Sequence, residues 1–141
     1  MSSDPMLPPS SDPPAVPDGE VYDWYRRGVE LLEGRNPAAA AQVLQHAAQA
    51  EPGSRSVLEA LARAQYDAGQ YAEARDAFVE LAAADPSDDY AQFGLGLASV
   101  RLGDLAVAIE HLALAVAMRP ELGHYRKALV NARARLAEAG P

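Results

Sequence analysis

From Glu20 onward the chain alternates amphipathic stretches with short breaks. Val21, Trp24, Tyr25, Gly28, Leu31 and Leu32 follow the three-and-four spacing of a buried helix face. That helix stops at Gly34, and Asn36-Pro37 supplies a cap residue and a first-turn proline for the next. The second helix runs through AAAAQVLQHAAQA and stops near Glu51-Pro52. Ser54 or Ser56 caps a third through Asp67, Ala68-Gly69 breaks it, and a fourth covers about Gln70 to Ala84. Pro86-Ser87 closes that unit. Further helices are predicted over about Asp88 to Leu102, Leu105 to Met118 and Glu121 to Glu138, with Gly103-Asp104 between the first two.

The breaks keep a beat. Pro52, Pro86 and Pro120 stand 34 residues apart, as do Gly28, Ala62 and Gly96, and Ala40, Ala74 and Ala108. A repeat of that length implies stacked helix–turn–helix units, each burying its apolar face against its neighbours. The small residues are expected where paired helices come closest, since a larger side chain would wedge them apart.

Three in-phase stretches carry a resemblance. The first reads Trp24-x2-Arg27-Gly28-x2-Leu31, Ala40-x3-Leu44 and Pro52; the second Leu58-x2-Leu61-Ala62-x2-Gln65, Ala74-x3-Phe78 and Pro86. The third reads Gln92-x2-Leu95-Gly96-x2-Ser99, Ala108-x3-Leu112 and Pro120. This resembles the tetratricopeptide repeat family over about residues 21–120. The resemblance implies an all-α, right-handed α-solenoid of three helix–turn–helix repeats closed by a seventh, capping helix. The layout it suggests is a repeat domain over 19–141, with repeats at about 21–54, 55–88 and 89–122 and the capping helix at about 121–139.

Residues 1–18 hold six of the eleven prolines, with Ser and Asp between them. Such a segment lacks the apolar surface to offset its ordering entropy, so a disordered tail is expected, extended in part as polyproline II. It is an expendable solubilising leader, or else a short-motif ligand or a segment that covers the chain itself. Leu7 and Val16 are near enough to the first helices to reach them in cis.

Composition narrows the function classes. The chain of 141 residues is 49% apolar and only 6% aromatic, which suits close helix packing around Ala. It has no cysteine, so disulfides and thiolate metal sites are excluded. A net charge of −8 disfavours nucleic acid as a partner, and no stretch is apolar for long enough to span a membrane. No basic cluster leads into an apolar run at the N-terminus, so a cytoplasmic location is expected. The basic residues are Arg except for Lys127, a bias that suits a GC-rich bacterial genome.

Catalytic signals are missing. His46, His111 and His124 have no second His one turn away, and Gly94-Leu95-Gly96 lacks the Lys-Ser/Thr of a phosphate loop. Asp85, Asp88 and Asp89 cluster where a helix starts and read as capping. No enzyme activity, no metal and no cofactor are expected.

In the family, first helices line an inner, concave surface that reads a peptide or partner helix. On the first helix that stripe is Tyr22, Tyr25, Arg26, Val29 and Leu32. On the third helix it is Glu59, Arg63, Tyr66 and Asp67, and on the fifth Tyr90, Phe93, Leu97, Val100 and Arg101. Lys127, Asn131 and Arg135 extend it on the last helix. The candidate peptide-binding set is therefore Tyr22, Tyr25, Arg26, Val29, Glu59, Arg63, Tyr66, Tyr90, Phe93, Leu97 and Arg101. Aromatic and Arg side chains are favoured at interface cores. The same residues could instead complete packing between adjacent helices. Relatives that hold chaperone C-terminal carboxylates use a clamp of Lys, Asn and Arg; the matching places here are Tyr25, Val29, Ala60, Tyr90 and Gly94, so that ligand is disfavoured. The implied partner is another protein or peptide. A self-associating scaffold, as a homo-oligomer, and a regulatory subunit of an enzyme are the alternatives.

Overall fold

A computed structural model describes residues 6–11 and 19–140. Among them are seven α-helices: α1 Gly19–Glu33, α2 Pro37–Ala50, α3 Arg55–Asp67, α4 Tyr71–Ala84, α5 Asp89–Arg101, α6 Leu105–Met118 and α7 Gly123–Ala139. No described residue lies in a strand. The all-α expectation holds, and each predicted helix is present to within about two residues at its ends.

Turns carry the repeat through backbone hydrogen bonds. The amides of Asn36, Gln70 and Asp104 donate to the carbonyls of Leu31, Gln65 and Ser99 at 2.8, 2.8 and 2.9 Å. Those of Arg35, Gly69 and Gly103 donate to Leu32, Tyr66 and Val100 at 3.0 Å. Each pair closes a helix by satisfying two of its last carbonyls, with the residue between in the left-handed region. Gly69 and Gly103 adopt φ of 81° and 82° there without steric cost, whereas the first turn uses Arg35 at φ 60°. The sequence placed Gly34 at this break; the left-handed residue is the one after it.

Caps begin the next helices. Ser54 Oγ accepts from the Val57 amide at 3.4 Å, which selects Ser54 over the buried Ser56 as the cap of α3. Asp88 Oδ1 accepts from the Ala91 amide at 3.0 Å and caps α5. Asn36 makes no side-chain cap bond, so Pro37 alone marks the start of α2.

The chain divides into two compact units, Met1–Ala77 and Phe78–Pro141, with the border inside α4 rather than at a repeat boundary. In the first, α1 packs on α2, α2 on α3, and α1 also touches α3. Its core joins Leu32, Ala40, Ala41, Leu44, Ala60, Leu61 and Ala64, with Tyr25 and Val29 packed against it. In the second, α6 packs on both α5 and α7, and α5 touches α7. Phe78, Tyr90, Phe93, Leu112, Tyr125 and Leu129 are buried there.

The small residues sit where helices meet, as expected. Ala40, Ala62, Ala74 and Ala108 are fully buried. The atoms nearest a side chain at Gly28 or Gly96 belong to leucines, four residues beyond the matching alanines. A Cβ on Gly28 would run into Leu44, and one on Gly96 would lie 2.6 Å from Leu112 Cγ and 3.2 Å from the Ala108 carbonyl. Gly94 makes a further close approach, which leaves room for the Phe78 ring.

Candidate functional site

Glu59, Arg63 and Asp67 recur at four-residue intervals on α3 and so share one face. Glu59 is buried, while Arg63 and Asp67 are half-buried. Against this face lies Leu7. Its side chain is 1% exposed, although Met6, Pro8 and Pro9 around it are exposed. The Leu7 amide donates to Asp67 Oδ1 at 2.7 Å, and the Leu7 carbonyl accepts from Arg63 Nε at 3.2 Å. One residue's two backbone groups are thus held by two charged side chains one helical turn apart. Residues 6–11 differ in this from the disordered tail expected for 1–18; the docked leucine supplies the apolar burial that the composition argument had denied them. Val16 lies outside the described residues.

Electrostatics tie α1 to the same place. Burial pushes the Tyr25 hydroxyl above the ordinary tyrosine value; the charge of Glu59 adds to the rise and Arg63 opposes it. Burial also raises the Asp67 carboxyl, while the Leu7 amide and Arg63 pull it back down. Tyr25, Glu59, Arg63 and Asp67 therefore form one polar patch. Its charges are arranged to meet the dipole of a peptide backbone: a cation toward a carbonyl, a carboxylate toward an amide.

Other expected site residues are distributed differently. Tyr22 and Arg26 on α1 are exposed, and Val29 is half-buried against the core. Tyr66 is buried, its ring edge-on to Tyr71 at 5.2 Å. In the second unit Tyr90 is buried, edge-on to Phe78 at 6.1 Å, and Phe93 is buried in a stack on Tyr125 at 4.4 Å. Aromatic rings on these helices gain more from pairing edge-on or stacked in the interior than from facing water. Burial withdraws Tyr66, Tyr90 and Phe93 from the surface an incoming chain can touch. Leu97 and Arg101 remain half-buried on α5.

Two arrangements were not foreseen. Tyr125 donates to Asp89 Oδ2 at 2.6 Å, and Arg119 Nη1 lies 3.8 Å from Asp89 Oδ1. This buried network fastens the start of α5 to α7 and holds the phenol well above the ordinary tyrosine range, through burial first and the Asp89 bond second. An open pocket of about 380 Å³ is lined by Ala41, Gln42, Gln45, His46, Gln65 and Gln70, and the buried Gln65 Oε1 accepts no hydrogen bond. Only the pairing of residues distant in sequence creates either feature.

The histidines are spread over both units. His46 lies beside Trp24, His111 Nδ1 is 2.7 Å from Gln92 Oε1, and His124 meets Phe93 edge-on. Among the described residues no group of three or more His, Asp or Glu is placed to hold a metal ion.

Residues 59–122 match the tetratricopeptide repeat model, with the Gly69 and Gly103 turns inside the match. Those residues carry tetratricopeptide repeats. Solved repeat structures agree with that fold. The chain is 24% identical to MamA from Desulfovibrio magneticus RS-1, covering 84% of this chain and 67% of that one at a TM-score of 0.80. It is 17% identical to the first repeat domain of Spaghetti (RPAP3), bound there to the HSP90 peptide SRMEEVD, covering 86% and 97% at a TM-score of 0.79. It is also 17% identical to the first such domain of human RPAP3, covering 84% and 93% at 0.77. No curated protein sequence matches it. At these identities the likeness shows the fold alone. Among the described residues no helix is long and apolar enough to cross a membrane.

Proposed function

We propose that this chain is a non-catalytic interaction module that holds a segment of another protein against α1 and α3. The observation that carries this reading is Leu7, a buried residue outside any helix whose amide and carbonyl are both bound by α3 side chains. A surface that accepts one peptide backbone in this way has the chemistry to accept another. Peptide binding by a solved repeat domain of similar fold supports the same reading. The carboxylates point away from catalysis: Asp88 caps a helix, Asp89 takes Tyr125 and Arg119, and Asp67 takes a backbone amide.

Tyr22 and Arg26 are exposed on α1 and can be changed without disturbing the core. Affinity capture with the Tyr22→Ala/Arg26→Ala chain should lose a partner that the unaltered chain retains. Equal recovery by a folded double variant would remove the reading.

A further inference from the structure

We infer that Arg63 and Asp67 form a reader for an internal, extended peptide with an aliphatic residue followed by proline. Leu7 of the segment Met6-Leu7-Pro8-Pro9 occupies that reader in cis, in competition with a partner of the same chemistry. This rests on the peptide-binding reading above and names its ligand class.

Four observations fix that class. A residue inside a helix spends its amide and carbonyl on its own ladder, so the ligand backbone is outside a helix where both are taken by α3. Pro8 enforces that shape, because a residue preceding proline is driven into the extended region. Only one side chain enters: Leu7 is buried while Met6, Pro8 and Pro9 stay exposed. Pro8 and Pro9 also bring no amide that would need a partner, and their stiffness lowers the ordering cost of binding.

The segment held is internal: Met6 precedes Leu7 and Pro8 follows it. The pair of Arg63 and Asp67 is also not repeated at the matching places of the other first helices. At the matching places α1 carries Val29 and Glu33, and α5 carries Leu97 and Arg101. Neither offers a cation and a carboxylate one turn apart.

Tethering makes the cis segment an effective competitor. A segment joined to the same chain presents itself at an effective concentration on the order of 1 mM. A free peptide with a Kd on the order of 0.1 mM would then see the site about tenfold more weakly in the unaltered chain.

The test uses the full chain and a fluorescein-labelled peptide of residues 4–12, DPMLPPSSD. Fluorescence anisotropy should show the Leu7→Asp chain binding this peptide about tenfold more tightly than the unaltered chain. Adding Arg63→Ala and Asp67→Ala to Leu7→Asp should weaken binding at least tenfold. The same peptide with its leucine changed to Asp should not bind the Leu7→Asp chain, a comparison that needs no change on α3. Equal affinity of the Leu7→Asp and unaltered chains, or of the two peptides, overturns the inference. Sedimentation should find the unaltered chain monomeric at 100 µM; a dimer abolished by Leu7→Asp would assign the segment to a second copy and overturn the cis arrangement. Should the peptide fail while Tyr22→Ala/Arg26→Ala still loses a captured partner, the ligand class falls and the interaction module stands.

Discussion

On α3 the positions Glu59, Arg63 and Asp67 are all charged, and 34 residues later α5 has Phe93, Leu97 and Arg101. The two helices share the repeat's small residues, with Ala62 matched by Gly96, and both end in the same hydrogen-bonded turn. Their faces differ in what covers them. Phe93 is covered by the Tyr125 ring from α7, whereas Arg63 and Asp67 are met by the backbone of Leu7. The pattern that makes the fold therefore leaves this stripe unassigned. An aromatic there binds a neighbouring helix; a pair of opposite charges one turn apart is available to a visiting backbone.

The largest effect should come from the covered stripe. Phe93→Ala is expected to cost about 3–5 kcal/mol, as for other buried aromatics, and the half-buried match on α1, Tyr25→Ala, only about 1 kcal/mol. Urea unfolding of both variants measures the gap, and equal costs would break the contrast. Gly96→Val should cost about 1–3 kcal/mol, because its Cβ meets the fixed Ala108 carbonyl as well as Leu112. Gly28→Val meets the buried Leu44 side chain at least as closely, so its urea midpoint should fall by a comparable amount.

Tyr125→Phe should cost about 1.5 kcal/mol at neutral pH by taking a hydrogen bond from a buried carboxylate. Its pH dependence is more telling. The folded phenol keeps its proton above the ordinary value of 10.0, while the unfolded chain releases it there. Stability is therefore fully present below pH 10 and falls above it, by up to about 1.4 kcal/mol per pH unit, and the Phe variant should lack this contribution. The smallest effect concerns the turns. Arg35→Gly should raise the melting temperature through about 0.5–1 kcal/mol, since Gly69 and Gly103 already occupy the matching left-handed positions. A fall in melting temperature would show that the Arg35 side chain contributes more than its backbone strain costs.

Most of the fold was legible because it is periodic. Pro52, Pro86 and Pro120, the Gly28 series and the caps at Ser54 and Asp88 are local signals, and local signals survive in a linear sequence. The candidate site was only half legible. Helical spacing put Glu59, Arg63 and Asp67 on one face, and the length of the tail put Leu7 within reach. It carried no information on which aromatics would pair, so Tyr66, Tyr90 and Phe93 read as surface and proved buried. The stack of Phe93 on Tyr125 and the bond from Tyr125 to Asp89 join residues more than thirty positions apart. Nothing in the spacing of either partner announces the other.

Tyr125 also governs how the chain could be lengthened by design. At the matching places one and two periods earlier stand Ala91 and Val57, both small and buried. A unit grafted behind Pro120 would need a small residue there, together with a new donor for the carboxylate of Asp89. The buried phenol thus bars a direct graft at this place, and moving its helix outward requires a fresh carboxylate for it to grip.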